Sequence, residues 1–206
     1  MSDMESKKQK KRNALLDSAY ELFTTIGYKH TTISKIVRLA GVGKGTFYLY
    51  FKDKDDIRSA LIIRQSRVIL NEAVNTLKRE LDVGEKSFAD KIVYITDYIV
   101  DYMSHDIAQL QFLSKYLSRG LFPTGGEANS KTQEEAQIFR EYIESELEYS
   151  GIMLKDPRTV MFTIIELVSS TCYNVILNGE PVTLGEYKPY LYRCVRLLVN
   201  DAIENG

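Results

Sequence analysis

The chain has 206 residues, 44% of them hydrophobic, with 27 Lys+Arg against 28 Asp+Glu for a formal net charge of −1. That is enough for one small module and one larger helical domain with a real core, and four prolines leave room for long helices. No uninterrupted apolar run approaches bilayer-spanning length. The two cysteines, Cys172 and Cys194, read as small buried residues of a reduced cytoplasmic protein.

Near-neutrality conceals a division, since residues 1–60 carry a net +5 and residues 61–206 a net −6. The basic part opens with Lys7, Lys8, Lys10, Lys11 and Arg12. This run reads as the solvated start of a first helix, with a flexible arm reaching phosphates or the minor groove as the alternative. No apolar stretch follows it, so no secretory signal is expected.

Thr31 to Lys52 then reads as two short helices joined by a glycine-containing turn. Thr31 or Thr32 can cap the first, a hydroxyl accepting an orphan backbone N–H. Ile33, Ile36, Val37 and Ala40 recur at helical spacing. Gly41 stands where a helix needs a left-handed residue after its end, and Val42 plugs the turn. Phe47 and Phe51, four apart, share one face of the next helix and anchor it. That leaves Lys44, Thr46 and Tyr48 at its exposed start. The build is that of a helix-turn-helix, whose second helix lies in the DNA major groove. A basic N-terminal module on an acidic body is the charge footprint of a nucleic-acid binder, with salt-dependent affinity.

From Arg12 to about Ile57 the chain resembles the DNA-binding domain of the TetR family of bacterial transcriptional regulators. The resemblance rests on Ala14-Leu15-Leu16-Asp17-Ser18-Ala19, Leu22-Phe23, Gly27-Tyr28, Thr31-Thr32, Ile36, Ala40-Gly41-Val42, Lys44-Gly45-Thr46-Phe47-Tyr48, Tyr50-Phe51-Lys52 and Lys54. One departure is Gly43, where the family often has Ser or Thr; glycine is an acceptable N-cap without a side-chain oxygen. The resemblance implies an all-α chain of about nine helices. A three-helix helix-turn-helix domain covers residues 1–52, and a larger helical ligand-binding and dimerisation domain covers residues 53–206. It also implies a sequence-specific regulator, a repressor released from a palindromic double-stranded DNA operator by a small-molecule effector. The expected DNA contacts are Thr31, Thr32, Lys44, Gly45, Thr46, Tyr48 and Tyr50, with Lys52 and Lys54 on the backbone.

Past residue 53 helix follows helix. Asp53 can cap a fourth helix running to about Leu81, which in the family connects the DNA module to the body. A fifth runs from about Glu85 to Ser104, and a sixth from Ile107 to about Arg119, stopped by Gly120 and Pro123. Residues 123–129 form the clearest break. A seventh helix reaches Tyr149. The eighth opens at Asp156-Pro157 and runs to about Asn178, and the ninth runs from Thr183 to about Asn205 with Pro189 in its first turns. The last two carry wide apolar faces, Val160, Ile164, Leu167 and Val175 on one and Leu191, Val195, Leu198 and Ala202 on the other. Helices apolar on more than one side must bury more than one side. A homodimer joined through about residues 156–204 would do so, as the resemblance also implies.

Ten of the fourteen tyrosines lie beyond residue 60. The helices that line a pocket in the TetR family correspond here to those carrying Tyr98, Tyr102, Phe112, Tyr116, Phe139, Tyr142 and Phe162, so the resemblance implies these, with Glu166 of the same region, as the candidate effector pocket, an apolar lining with few polar groups; the same stripes otherwise serve as core. Glu166, the carboxylate interrupting an apolar run, favours an uncharged or cationic effector over a carboxylate-bearing one. Two widely separated histidines give no metal-site spacing, and no cofactor is expected. No nucleophile elbow, phosphate loop or acid/base dyad is present, so the chain is not expected to be an enzyme. A DNA-binding or architectural protein with no small-molecule sensing stays open as the other class.

Overall fold

The structure, a computed structural model, describes residues 3–80, 86–114, 117, 121–122, 130–149 and 153–203, with the side chains of 3–5, 80, 130, 139–140, 142–144 and 146–149 outside that description. Among the described residues nine helices follow one another: α1 (Asp3–Thr25), α2 (Ile33–Leu39), α3 (Lys44–Tyr48), α4 (Lys54–Glu80), α5 (Phe88–His105), α6 (Ile107–Leu113), α7 (Ser130–Tyr149), α8 (Pro157–Asn178) and α9 (Leu184–Ala202). The fold is all-α. The β pairing among these residues is an isolated antiparallel bridge, Leu154 to Ile203, beside the end of α9.

Local chemistry sets most helix ends. Ser87 caps α5 by accepting from the Asp90 amide, and Asp106 caps α6 by accepting from Gln109. Asp156, at φ 46, caps α8 ahead of Pro157, a left-handed position that Asp tolerates better than most residues. Thr183 and Glu186 satisfy each other's orphan amides in a capping box at the start of α9. α6 is shorter than its pattern suggests. It ends at Leu113, and the Ser114 hydroxyl bonds back to the Leu110 carbonyl at 2.6 Å. The break at 123–129 lies outside the described residues. The basic run lies on α1, which is helical from Asp3, so the run is helix rather than a flexible arm, with Lys7, Lys8, Lys10 and Lys11 exposed and Arg12 buried.

Leu15, Leu16, Ala19 and Phe23 repeat at helical spacing on α1 and are buried. They form one cluster with Ile36, Val37, Phe47, Phe51 and the α4 residues Ile57, Ala60 and Leu61. That cluster continues into the body through Phe112 and Leu113 of α6. Phe112 meets Tyr20 edge-on at 5.8 Å and stacks on Phe23 at 5.9 Å. Its expected place in an effector pocket is therefore corrected: it fills the junction between α6 and α1. A second cluster joins α5, α6, α8 and α9 through Val93, Val100, Leu110, Val168, Cys172, Leu191 and Val195. Burial there pushes the Cys172 thiol up to about 11, away from thiolate chemistry.

α8 also corrects the reading of apolar length. By length and composition alone it could cross a membrane, and most of its span is not buried among the described residues. Glu166 and the interspersed Ser and Thr hide this from a search for uninterrupted runs. Phe162 on α8 and Tyr190 and Leu197 on α9 stay exposed.

The buried side chain of Arg12 ties α1 to α7. Its Nη2 donates to Glu135 Oε2 at 2.6 Å, and its guanidinium lies 5.4 Å from the centre of the Phe51 ring. Glu135→Ala would leave that charge buried and unpaired. Urea unfolding should show a loss of about 3 kcal/mol, the low end for a broken buried pair because Glu135 is partly exposed. Arg12→Met together with Glu135→Leu should recover most of it.

Candidate DNA interface and effector groove

The turn of the helix-turn-helix is built by backbone geometry. Thr32 caps α2, its hydroxyl accepting from the Lys35 amide at 3.2 Å. At the other end the Gly41 amide donates to Arg38 and the Val42 amide to Val37, at 3.3 and 3.0 Å, which is a Schellman closure. Gly41 adopts φ +66, the left-handed conformation the closure requires. Half-buried Val42 then packs on the α1 cluster.

α3 spans only five residues. Gly43 caps it without a side-chain hydrogen bond, as the missing hydroxyl predicts. Helical bonding runs past Tyr48, with the Leu49 amide donating to Gly45 at 3.2 Å and the Phe51 amide to Phe47 at 2.9 Å. Phe47 and Phe51 are buried on the inner side. Lys44, Gly45, Tyr48 and Leu49 are exposed on the other, with Thr46 and Tyr50 half-buried at its margins. Lys52 is exposed just beyond, where its amide donates to the buried Asp56 carboxylate at 2.8 Å. Asp53 accepts from the Asp56 amide at 2.9 Å, so the two carboxylates together cap the step from α3 into α4.

Two expected DNA contacts are placed elsewhere. Thr31 is fully buried, and its hydroxyl donates to Gly27 and Leu22 carbonyls, so Thr32 alone of the pair stays at the surface. Lys54 donates to the Tyr28 and Thr31 carbonyls at 2.9 Å, and its ammonium sits 4.1 Å from the centre of the Tyr28 ring. Burial lowers its pKa below the ordinary lysine value. Arg58 also stacks on Tyr28, at 4.4 Å, while the Tyr28 hydroxyl donates to Asp55 at 2.7 Å. Burial and that bond hold the phenol's pKa well above its usual value. Lys54 and Arg58 stand four apart on α4, so one helix face clamps the α1–α2 turn. That spacing is legible in the sequence; its target on the turn is not. Leu49, out of register with the buried Phe47 and Phe51, is exposed on the outer side of α3.

In the body, a groove of about 330 Å³ runs along α5, lined among the described residues by Tyr94, Asp97, Tyr98, Asp101, Tyr102 and His105. It occupies the face opposite to buried Val93, Val100 and Met103. Lys188 of α9 bridges Asp97, at 2.7 Å, and Asp101, while the Tyr192 hydroxyl donates to Asp97. Burial works against the Lys188 charge, but the bonds to Asp101 and Asp97 outweigh it and raise its pKa. Two carboxylates against one ammonium leave the groove net acidic. The expected residues Tyr98 and Tyr102 are together here. Glu166 is half-buried on α8, and Phe162 meets Phe122 edge-on at 5.4 Å; neither is among the lining residues. Tyr116 lies outside the described residues, as do the side chains of Phe139 and Tyr142.

A short exposed helix, locked from behind by two phenylalanines and carried on a basic module beneath an all-α body, defines a helix-turn-helix protein of the DNA-binding type. The model of the bacterial regulatory proteins of the tetR family matches residues 15–61, so the N-terminal segment carries the TetR-family helix-turn-helix. The chain is 34% identical over 79 residues to the fatty acid metabolism regulator protein of Bacillus subtilis, covering 38% of this chain and 41% of that protein, under half of its length. It is 26% identical over 208 residues, covering 98% of each chain, to the uncharacterised HTH-type transcriptional regulator YdgC of the same organism. In fold it is similar to Thermus thermophilus FadR, a TetR-family repressor solved with lauroyl-CoA, with a TM-score of 0.60 at 16% identity over 89% of this chain and 92% of that one.

Two glycines of the turn should behave oppositely. Gly41→Ala forces a side chain into a left-handed position and should cost about 1–2 kcal/mol in thermal unfolding. Gly43 is extended, and an added Cβ meets nothing within 4 Å. Gly43→Ser should therefore add a few tenths of a kcal/mol by supplying the absent cap.

Proposed function

We propose that this chain is a cytoplasmic, homodimeric transcriptional repressor that binds a palindromic double-stranded operator through α3 and is released by a small molecule held against α5. The observation that carries the DNA reading is the two-sided α3. Phe47 and Phe51 are buried behind it, and Lys44, Gly45 and Tyr48 face outward. Lys44, Gly45, Thr46 and Tyr48 would meet base edges and phosphates, with Thr32, Tyr50 and Lys52 on the flanking backbone. The net +5 of residues 1–60 supplies the steering field. The helix-turn-helix would form the N-terminal unit, about residues 1–52, and the body, 53–206, would hold the effector and the dimer contact.

Exposed Phe162, Tyr190 and Leu197 on α8 and α9 support dimerisation through about residues 156–204. A face of this kind also accounts for the apolar α8 without a membrane. In light scattering the chain should show twice its 23.6 kDa mass. Leu197→Arg should shift it toward monomer and weaken operator binding together. A parent that remains monomeric at micromolar concentration overturns the dimer.

Release requires an effector that binds the DNA-incompetent arrangement more tightly than the competent one. The contacts that would carry the shift join α1 to the body, through Phe112 on Tyr20 and Phe23 and through Arg12 on Glu135. Tyrosines and surplus carboxylate on α5 favour an uncharged or cationic molecule with an apolar body. The FadR repressor solved with lauroyl-CoA supports a second reading, an acyl thioester. Selection of bound duplexes from a random pool, then operator release by lauroyl-CoA and by a lipophilic quaternary ammonium, separates the two. Asp101→Asn should weaken the response to the ammonium and leave that to lauroyl-CoA unchanged. If both probes leave operator affinity untouched, a DNA binder without sensing is favoured. If no duplex is enriched, DNA recognition itself fails.

A further inference from the structure

Leu49 has 80% of its surface exposed, beside Tyr48 at 58%. A lone exposed leucine is ordinary on a protein surface; this one adjoins exposed Tyr48 on the outer face of the helix-turn-helix, where a bound duplex would meet it. Rotation of α3 cannot cover it. Leu49 remains in helical conformation, φ −73 and ψ −21, with its amide bonded to Gly45. It therefore lies one turn along from Gly45 on the outer face, while Phe47 and Phe51 hold the opposite face buried. Rolling α3 to hide Leu49 would expose both phenylalanines.

The surroundings of this apolar spot select its partner. Gly45 is exposed and has open space where a side chain would stand, so a surface can approach the backbone closely there. Exposed Lys44 and Lys52 flank it within the positively charged module. The partner is thus polyanionic at its margins and apolar at one point. In the DNA major groove the thymine C5-methyl is the apolar group on a base edge. We propose that Leu49, with the bare backbone of Gly45, forms a pocket for a thymine methyl and makes Leu49 a specificity-determining residue of each half-site. This rests on the DNA-binding reading above and adds to it the base that is recognised.

The test uses the full-length dimer and duplexes selected from a random pool, with each half-site thymine replaced in turn by deoxyuridine, which lacks only the methyl. One thymine per half-site should prove sensitive. Its replacement should weaken the parent about fourfold in each half-site, the weight of one methylene-sized group removed from water. Leu49→Ala should lose this discrimination, binding thymine and deoxyuridine duplexes alike, and Leu49→Met should keep most of it. Affinity for unrelated duplex should be the same for all three proteins, because phosphate contacts are intact. Leu49→Ala that retains the full deoxyuridine penalty, or a parent indifferent to every methyl, overturns the proposal while leaving operator binding standing. A loss of dimer mass in Leu49→Ala without DNA overturns it too, by assigning the side chain to a second copy. If selection enriches no duplex, this proposal and the DNA reading fall together.

Discussion

Burial of Phe47 and Phe51 is the constraint on which the DNA-facing half depends. A helix of five residues has no stability of its own in water, because nucleation cost exceeds what so few hydrogen bonds return. Two phenylalanine rings, 5.7 Å apart and inserted among α1, α2 and α4, supply what the backbone cannot. They also fix the rotation of α3, so that its outward residues follow from its inward ones. The Asp53–Asp56 cap then delivers the chain into α4 at a defined angle, which places the module relative to the helix that leads to the body.

Around that pair the N-terminal module and the body share one core. Phe112 of α6 is as much a part of the α1 packing as Phe23 is, and Arg12 contacts both Phe51 behind α3 and Glu135 on α7. A displacement in the body therefore has two packed routes to α3, one apolar and one ionic. Close-packed contacts transmit such shifts because they do not deform continuously. The clamp of Tyr28 between Lys54 and Arg58 acts in the other direction, holding the α1–α2 turn to the first turns of α4 so that the module moves as a unit.

α5 sits between two demands. Its buried face completes the core with α8 and α9, and its other face presents tyrosines and carboxylates. Lys188 neutralises part of that charge and links the groove to α9, which carries exposed apolar residues of its own. The groove and the proposed dimer face are consequently joined through α9, by Lys188 and Tyr192.

How much was legible from residues alone divides along physical lines. Periodicity, capping residues and turn glycines determined the all-α class, the bounds of α4, α7 and α8, the left-handed Gly41, the bare cap at Gly43 and the buried pair of α3, because each depends on neighbours within a turn or two of helix. The family resemblance was carried by the same short-range pattern. Contacts between distant segments were decided only by tertiary structure. Thr31 and Thr32 are equivalent as sequence, yet one hydroxyl is consumed by carbonyls of the preceding turn and the other caps a helix. Lys54 looked like a phosphate contact until packing spent its charge on Tyr28 and two carbonyls. Phe112 looked like one more aromatic of the body until α6 docked it on α1. Whether a side chain faces solvent, core or groove depends on which helix lies across from it, and helical period specifies a face without specifying what that face will meet.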